Sequence, residues 1–257
     1  MKRLALLCAL GAAMLAASAG ATTHSGRFTV VFAKPKNQDE SILVNLLKQA
    51  QMPKVFGLLS QHMKLTRNVT ISVQGGKAGP YYNPKTSTIV LNHPFSALAL
   101  NYWFKKYPKA KPYDIGYRFA ELEYFILFHE VGHALVDQWD IPVLGREEDA
   151  VDAFSTIFMT EIVKRGDFAL AGAEFFLDLD KLTGATGTPD ELNFADEHSF
   201  NKQRAYSIAC WVYGSDPVKW SQTNLKTFLP PARRVRCADE YRKLKTSWFG
   251  LLKPHLR

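Results

Sequence analysis

The motif His129-Glu130-Val131-Gly132-His133 lies inside an apolar stretch, residues 113–139, whose spacing predicts one long helix. On a helix, His129 and His133 share one face a single turn apart, so both imidazoles can bind one zinc ion tetrahedrally. Glu130 is offset around the helix and can reach a metal-bound water rather than the metal. Gly132 keeps one flank of this helix small enough for another backbone to approach. The motif therefore demands a buried helix that faces a further ligand.

The next predicted helix, residues 146–165, begins with an acidic run that can supply this ligand. Glu148 and Asp152 stand four residues apart and share a face, so Glu148 can complete a His/His/Glu zinc site. Asp152 can accept the other ring N–H of a ligand histidine and fix its tautomer. We interpret Glu147 and Asp149 as acidic residues that favour a helix N-terminus, with Asp149 as a reserve ligand.

HExxH followed by Glu-x-x-x-Asp on the next helix resembles the gluzincin metallopeptidases, of which thermolysin is the familiar example. The connection here is shorter than in thermolysin, and residues 129–152 look closer to an uncharacterised family of exported bacterial metallopeptidases. That resemblance extends to residues 196–199 and 210–217, over most of the chain after its first 21 residues. It implies a zincin-like fold and a zinc site, and it supplies no substrate.

The gluzincin resemblance also implies a histidine or tyrosine that hydrogen-bonds the oxyanion of the transition state. His198 is the first candidate, because it follows a loop and stands among acidic residues and Arg204; a solvated or helix-capping role is the alternative. Tyr206 is the second candidate. Tyr81 and Tyr82 precede a predicted strand whose edge could pair with an extended peptide, and ordinary packing would explain them equally well.

Residues 1–21 have the pattern of a secretory signal peptide: a basic start, an apolar run and small residues before cleavage near Gly20 or Thr22. A membrane anchor is the alternative, but the apolar run is short for a span. We therefore expect an exported protein, periplasmic or extracellular, without a stable membrane span after cleavage. Export favours oxidised cysteines, so Cys210 and Cys237 are expected to form a structural disulfide.

The charge of the chain is basic, with a formal net charge of +8. The basic residues are scattered and lack a repeated aromatic and basic pattern, so we interpret them as a solvated surface. Export likewise argues against a nucleic-acid partner. The oligomeric state is not indicated.

The remaining pattern predicts an α+β fold, in which a small antiparallel sheet packs on a mainly helical half. Strands are predicted at residues 27–33, 68–73 and 86–91. Further helices are predicted from a cap at Asp39 or Ser41, and at residues 55–65, 94–104, 170–181, 199–213 and 239–248. A short loop is predicted at residues 184–189, and residues 22–257 are expected to form a single domain.

These features predict a zinc-dependent hydrolase with one Zn²⁺ per chain that cleaves peptide bonds, in which Glu130 activates a zinc-bound water. One alternative is a zinc amidase acting on a non-protein or cell-wall peptide substrate. Another is a catalytically silent exported zinc-binding or chaperone-like protein. An edge strand along the site would favour a polypeptide substrate. A closed pocket would favour the amidase. A buried metal with four protein ligands would favour the catalytically silent protein.

Overall fold

The computed structural model describes residues 26–77, 79–182 and 195–257. The expected signal peptide and the loop at residues 184–189 lie outside these ranges. The strands are β1 (Phe28–Phe32), β2 (Val69–Gln74), β3 (Tyr81–Asn83) and β4 (Thr88–Asn92). The helices are α1 (Gln38–Gln49), α2 (Met52–His62), α3 (His93–Lys106), α4 (Pro112–Trp139), α5 (Glu147–Ile157), α6 (Gly166–Leu182), α7 (Asn201–Ser215), α8 (Pro217–Trp220), α9 (Leu225–Phe228) and α10 (Pro231–Leu252).

The strands form one mixed sheet in the order β1-β2-β4-β3. The expectation of an antiparallel sheet was wrong, because β1 pairs with β2 and β2 pairs with β4 in parallel. Helices α1 and α2 form the long crossover that a parallel β1–β2 pair requires. The chain then reverses through β3, which pairs antiparallel with β4, so β4 runs in the direction of β2. Strand β3, missing from the sequence-based expectation, is an edge of the sheet.

The first helix is capped differently from the sequence prediction. Asn37 is the N-cap, and its side-chain oxygen accepts a hydrogen bond of 2.9 Å from the backbone N–H of Glu40. Asp39 and Ser41 lie inside the first turn instead. An Asn cap serves as well as Asp or Ser, and the chain offered all three within a few residues.

Helix α4 is the centre of the molecule. It begins with Pro112 at its first position and ends before Asp140, whose φ of 49° breaks the helix. It is buried around much of its circumference and packs against α3, α5, α6 and the β3–β4 side of the sheet. The buried hydrophobic side chains form one cluster that runs from Phe28 to Leu252. The HEVGH segment therefore lies in a largely buried helix.

The remaining helices close the fold behind α5. A π-helical turn at Phe158–Ile162 follows α5, and α6 then begins at Gly166, earlier than predicted. The predicted disulfide is confirmed between Cys210 on α7 and Cys237 on α10. In the described parts of the chain, no helix combines the length and hydrophobicity that crossing a membrane would require.

Candidate metal centre

Helices α4 and α5 approach closely where the candidate residues lie, and Gly132 is the reason. A Cβ atom at this position would lie 2.8 Å from Cβ and Cγ1 of Val151 and 3.1 Å from Cδ1 of Phe154. Only glycine leaves room for these buried side chains, as the sequence suggested. The close approach places the acidic face of α5 directly against the histidine face of α4.

The candidate ligand atoms converge on the carboxylate of Glu148. The Nε2 atom of His129 lies 3.1 Å from Oε2 of Glu148, and Nε2 of His133 lies 3.3 Å from Oε1. His129, His133 and Glu148 each offer one ligand atom, and these atoms all lie within 4.8 Å of one another. The structure thus brings together the three residues that the sequence predicted as metal ligands.

The outer ring nitrogens of both histidines are held by carboxylates. His129 Nδ1 lies 2.8 Å from Oδ1 of Asp152, and His133 Nδ1 lies 2.7 Å from Oε1 of Glu147. A carboxylate accepts a hydrogen bond from Nδ1–H and so keeps the proton on Nδ1, which leaves both Nε2 atoms able to offer lone pairs to a metal. Asp152 occupies the position that the sequence predicted. The contact from Glu147 was missed, because a helix-start role already explained an acidic residue there.

This arrangement fits a divalent metal ion with nitrogen and oxygen ligands. Oε2 of Glu148 is buried and makes no hydrogen bond of acceptable geometry with the described residues, although two imidazole nitrogens lie near it. The lone pairs at Nε2 of His129 and Nε2 of His133 would repel the carboxylate of Glu148 unless a cation lies among these atoms. A metal ion supplies that charge, and the set of two histidines and one glutamate leaves an open position for water, as in catalytic sites.

The electrostatics of the site couple the histidines to Glu148. Burial alone would lower the pKa of His133, but its contact with Glu148 and the charge of Glu130 outweigh burial and raise it to about 9. Burial would raise the pKa of Glu148, yet the contacts with His129, His133 and His198 hold it well below its ordinary range. The neighbouring imidazoles therefore keep Glu148 ionised, which is the state in which a carboxylate binds a metal.

Asp152 is itself hydrogen-bonded by a buried arginine. Arg204 on α7 donates from Nε to Oδ2 at 2.8 Å and from a terminal nitrogen to Oδ1 at 3.0 Å. Its guanidinium also lies 3.9 Å from the ring centroid of Phe176. Burial would raise the pKa of Asp152, but the charge of Arg204 and the contact with His129 lower it to about 2. Asp152 therefore stays ionised, although no sequence pattern indicated that Arg204 was its partner.

His198 also contacts Glu148, with Nε2 3.0 Å from Oε2 of Glu148. Its Nδ1 lies 3.0 Å from Oδ1 of Asp196, which also accepts the backbone N–H of His198 at 2.7 Å. Arg146 donates to the backbone carbonyls of His198 and Asp196, at 2.8 and 3.2 Å. His198 belongs to a second group, with Glu148 and Glu197, rather than to the His129 group. It is thus held beside the ligand set.

Asp149, the reserve ligand, instead accepts a hydrogen bond of 2.9 Å from the hydroxyl of Ser199. This bond and those from Arg146 fasten the segment at residues 196–199 to the start of α5. Asp149 therefore positions the His198 segment and is not part of the ligand group.

Glu130 points toward the same cleft from α4 and is buried, with 5% of its surface exposed. Burial raises its pKa, although the charges of His129 and His133 oppose this. A raised pKa suits a carboxylate that accepts and returns a proton.

The cleft has a volume of about 700 Å³ and is bordered by β3 on one side. Tyr81, Tyr82 and the candidate residues of α4 and α5 line it, and the Tyr82 hydroxyl donates to Asp137 at 2.6 Å. Tyr206 lies elsewhere, stacked on Phe228 with ring centroids 5.0 Å apart. The choice of Tyr206 as second oxyanion donor is therefore not supported by its position.

The family model DUF4344, described as "Putative metallopeptidase", matches residues 32–252. Comparisons with curated proteins and with solved structures returned no match.

Proposed function

Because the chain belongs to the DUF4344 family, we propose that it is a zinc-dependent hydrolase that cleaves peptide bonds. The observation that carries this proposal is the convergence of two carboxylate-held imidazoles on Glu148, beside a buried glutamate in an accessible cleft. In the proposed enzyme, one zinc ion is bound by His129, His133 and Glu148.

Zinc at this position would supply Lewis acidity, which lowers the pKa of a water molecule and polarises the scissile carbonyl. Glu130 accepts the proton of the attacking water, since its burial strengthens it as a base. Glu130 then returns the proton to the leaving amine. Asp152 and Glu147 hold the two histidines in the tautomer that directs Nε2 inward.

His198 is our proposed oxyanion donor. Asp196 accepts a hydrogen bond from its Nδ1–H, and the contact with Glu148 raises the pKa of His198, so the protonated ring can also donate from Nε2, which lies in the cleft next to Glu148. A donor preorganised in this way stabilises charge that develops only in the transition state. The family description and this geometry support a hydrolase over a silent zinc-binding protein.

Strand β3 supports a polypeptide substrate. It is an edge strand of the sheet and lines the cleft, so its outer backbone groups could pair with an extended chain.

The test measures zinc content and casein cleavage of purified wild type, Glu148→Ala, Glu130→Gln and the control Asp39→Asn. Asp39 is exposed on α1, remote from the cleft in sequence and element. We expect one zinc per chain in wild type and control, weakened binding in Glu148→Ala, and retained zinc without cleavage in Glu130→Gln. A wild type that binds no zinc after metal is supplied would exclude the metal site. Full cleavage by Glu130→Gln would exclude the assigned base.

A further inference from the structure

We propose that the cleft selects substrates with a cationic side chain next to the scissile amide, and that Glu197 is the carboxylate that recognises it. This inference rests on the hydrolase function proposed above and names its substrate class.

The charge of the cleft is opposite to that of the chain. The whole chain carries a formal net charge of +8. Among the described residues, its cleft is lined by six carboxylates and one guanidinium, from Glu130, Asp137, Glu147, Glu148, Asp196, Glu197 and Arg146. The balance stays negative after the two positive charges of a bound metal are counted. A concave site of one sign concentrates ligands of the other sign.

Most of these carboxylates already have partners within the site. Glu147 and Glu148 contact the histidines, Asp196 holds His198, and Asp137 contacts Arg67 and Tyr82. Glu130 is the proposed base. The guanidinium of Arg146 is directed at the two backbone carbonyls of the His198 segment. These charges shape the local potential, but none of them is free to bind a substrate side chain.

Glu197 differs from the others. It is exposed, and the described residues provide it with no hydrogen bond or ion pair. A carboxylate oxygen of Glu197 lies within 4.8 Å of the ligand atoms of Glu148 and His198. A cation bound to Glu197 would therefore sit next to the proposed reacting centre. Lysine and arginine side chains can follow the cleft wall with their apolar stems and present the charge at its rim.

The test uses zinc-loaded protein and fluorogenic peptides that differ only in one residue next to the cleaved bond: Lys, norleucine or Glu. We expect wild type to prefer Lys over Glu in kcat/KM. In Glu197→Gln the value for the Lys peptide should fall about fivefold, the size of one exposed ion pair, while the norleucine peptide changes little. Glu197→Lys should reverse the preference, and the control Asp39→Asn should leave all three values unchanged.

A binding measurement separates failure of this inference from failure of the proposed function. Labelled Lys and Glu peptides are titrated with zinc-loaded Glu130→Gln and with Glu130→Gln/Glu197→Gln, and binding is followed by fluorescence anisotropy. Tighter binding of the Lys peptide that is lost in the double variant supports the inference even if wild type cleaves no peptide. Equal affinities for both peptides would overturn it. It would also be overturned by a second zinc ion per chain that disappears in Glu197→Gln, because Glu197 would then be a metal ligand.

Discussion

Replacing Gly132 by alanine tests whether the contact between α4 and α5 builds the metal centre. The new Cβ would lie 2.8 Å from two atoms of Val151 and 3.1 Å from Phe154, and both side chains are buried. Overpacking a core of this kind costs about 1–3 kcal/mol. The higher helix propensity of alanine returns about 1 kcal/mol. We therefore expect the free energy of unfolding to fall by up to about 2 kcal/mol, with about 1 kcal/mol as the central value.

The same substitution should weaken zinc binding, because relief of the overlap pushes α5 away from α4. Glu148 lies one turn before Val151 on α5, so it would move away from His129 and His133. A displacement of one ligand should lower zinc affinity about tenfold, an amount seen when the support of a metal ligand is disturbed. The positions of residues outside the contact between α4 and α5 should change little.

The assay combines urea unfolding of metal-free protein with zinc titration against a chelator, so that bound metal does not mask the change in stability. Gly57→Ala is the matched control, since Gly57 is an exposed helical glycine whose Cβ would meet nothing within 4 Å. It should stabilise the protein by about 0.5–1 kcal/mol.

A double-mutant cycle with Val151→Gly isolates the contact, because this change removes both valine atoms that the new methyl group at position 132 would overlap. The double variant should be more stable than the sum of the single effects by about 1–2 kcal/mol. The reasoning would be refuted if Gly132→Ala matched or exceeded wild-type stability and kept its zinc affinity.

Three further predictions concern the described core. Glu123 is fully buried, and burial raises its pKa from 4.5 to about 8. The folded protein therefore favours the protonated side chain. The stability that this preference contributes is complete below pH 4.5 and is lost as the pH rises through 8. Glu123→Gln should thus raise the free energy of unfolding at pH 7 by about 3 kcal/mol and leave it nearly unchanged at pH 4, and a gain of equal size at both values would contradict the assignment. Asp152→Asn should weaken zinc binding about 10–100-fold in chelator titrations, because His129 loses the group that fixes its tautomer, and wild-type affinity would speak against that role. Replacing Cys210 and Cys237 by alanine should cost about 3 kcal/mol in urea unfolding, since the bridge joins positions 27 residues apart, and an unchanged midpoint would show that the bridge adds no stability.

Much of the site could be predicted because it follows from helical spacing alone. His129 and His133 on α4, and Glu148 and Asp152 on α5, each stand four residues apart, so their shared faces were fixed once the helices were recognised. Gly132 likewise indicated where a second helix could approach. The disulfide followed from the two cysteines that remain after the expected signal peptide.

The sheet could not be predicted with the same success. Alternating β-branched residues identified β1, β2 and β4 but contain no information on the direction of their partners. The three-residue strand β3 is too short to show a period and is formed by its pairing with β4. Its position at the edge of the sheet places it along the cleft.

The order of residues in the chain was sufficient to identify which side chains could share a metal ion, because a helix converts spacing into a common face. The support of Asp152 by Arg204, 52 residues away, and the contact of Glu147 with His133 became visible only in the folded molecule. A buried carboxylate that stays ionised needs a partner, but the sequence does not show which arginine of the chain supplies it. Packing selects the partner, because the choice depends on which helices meet.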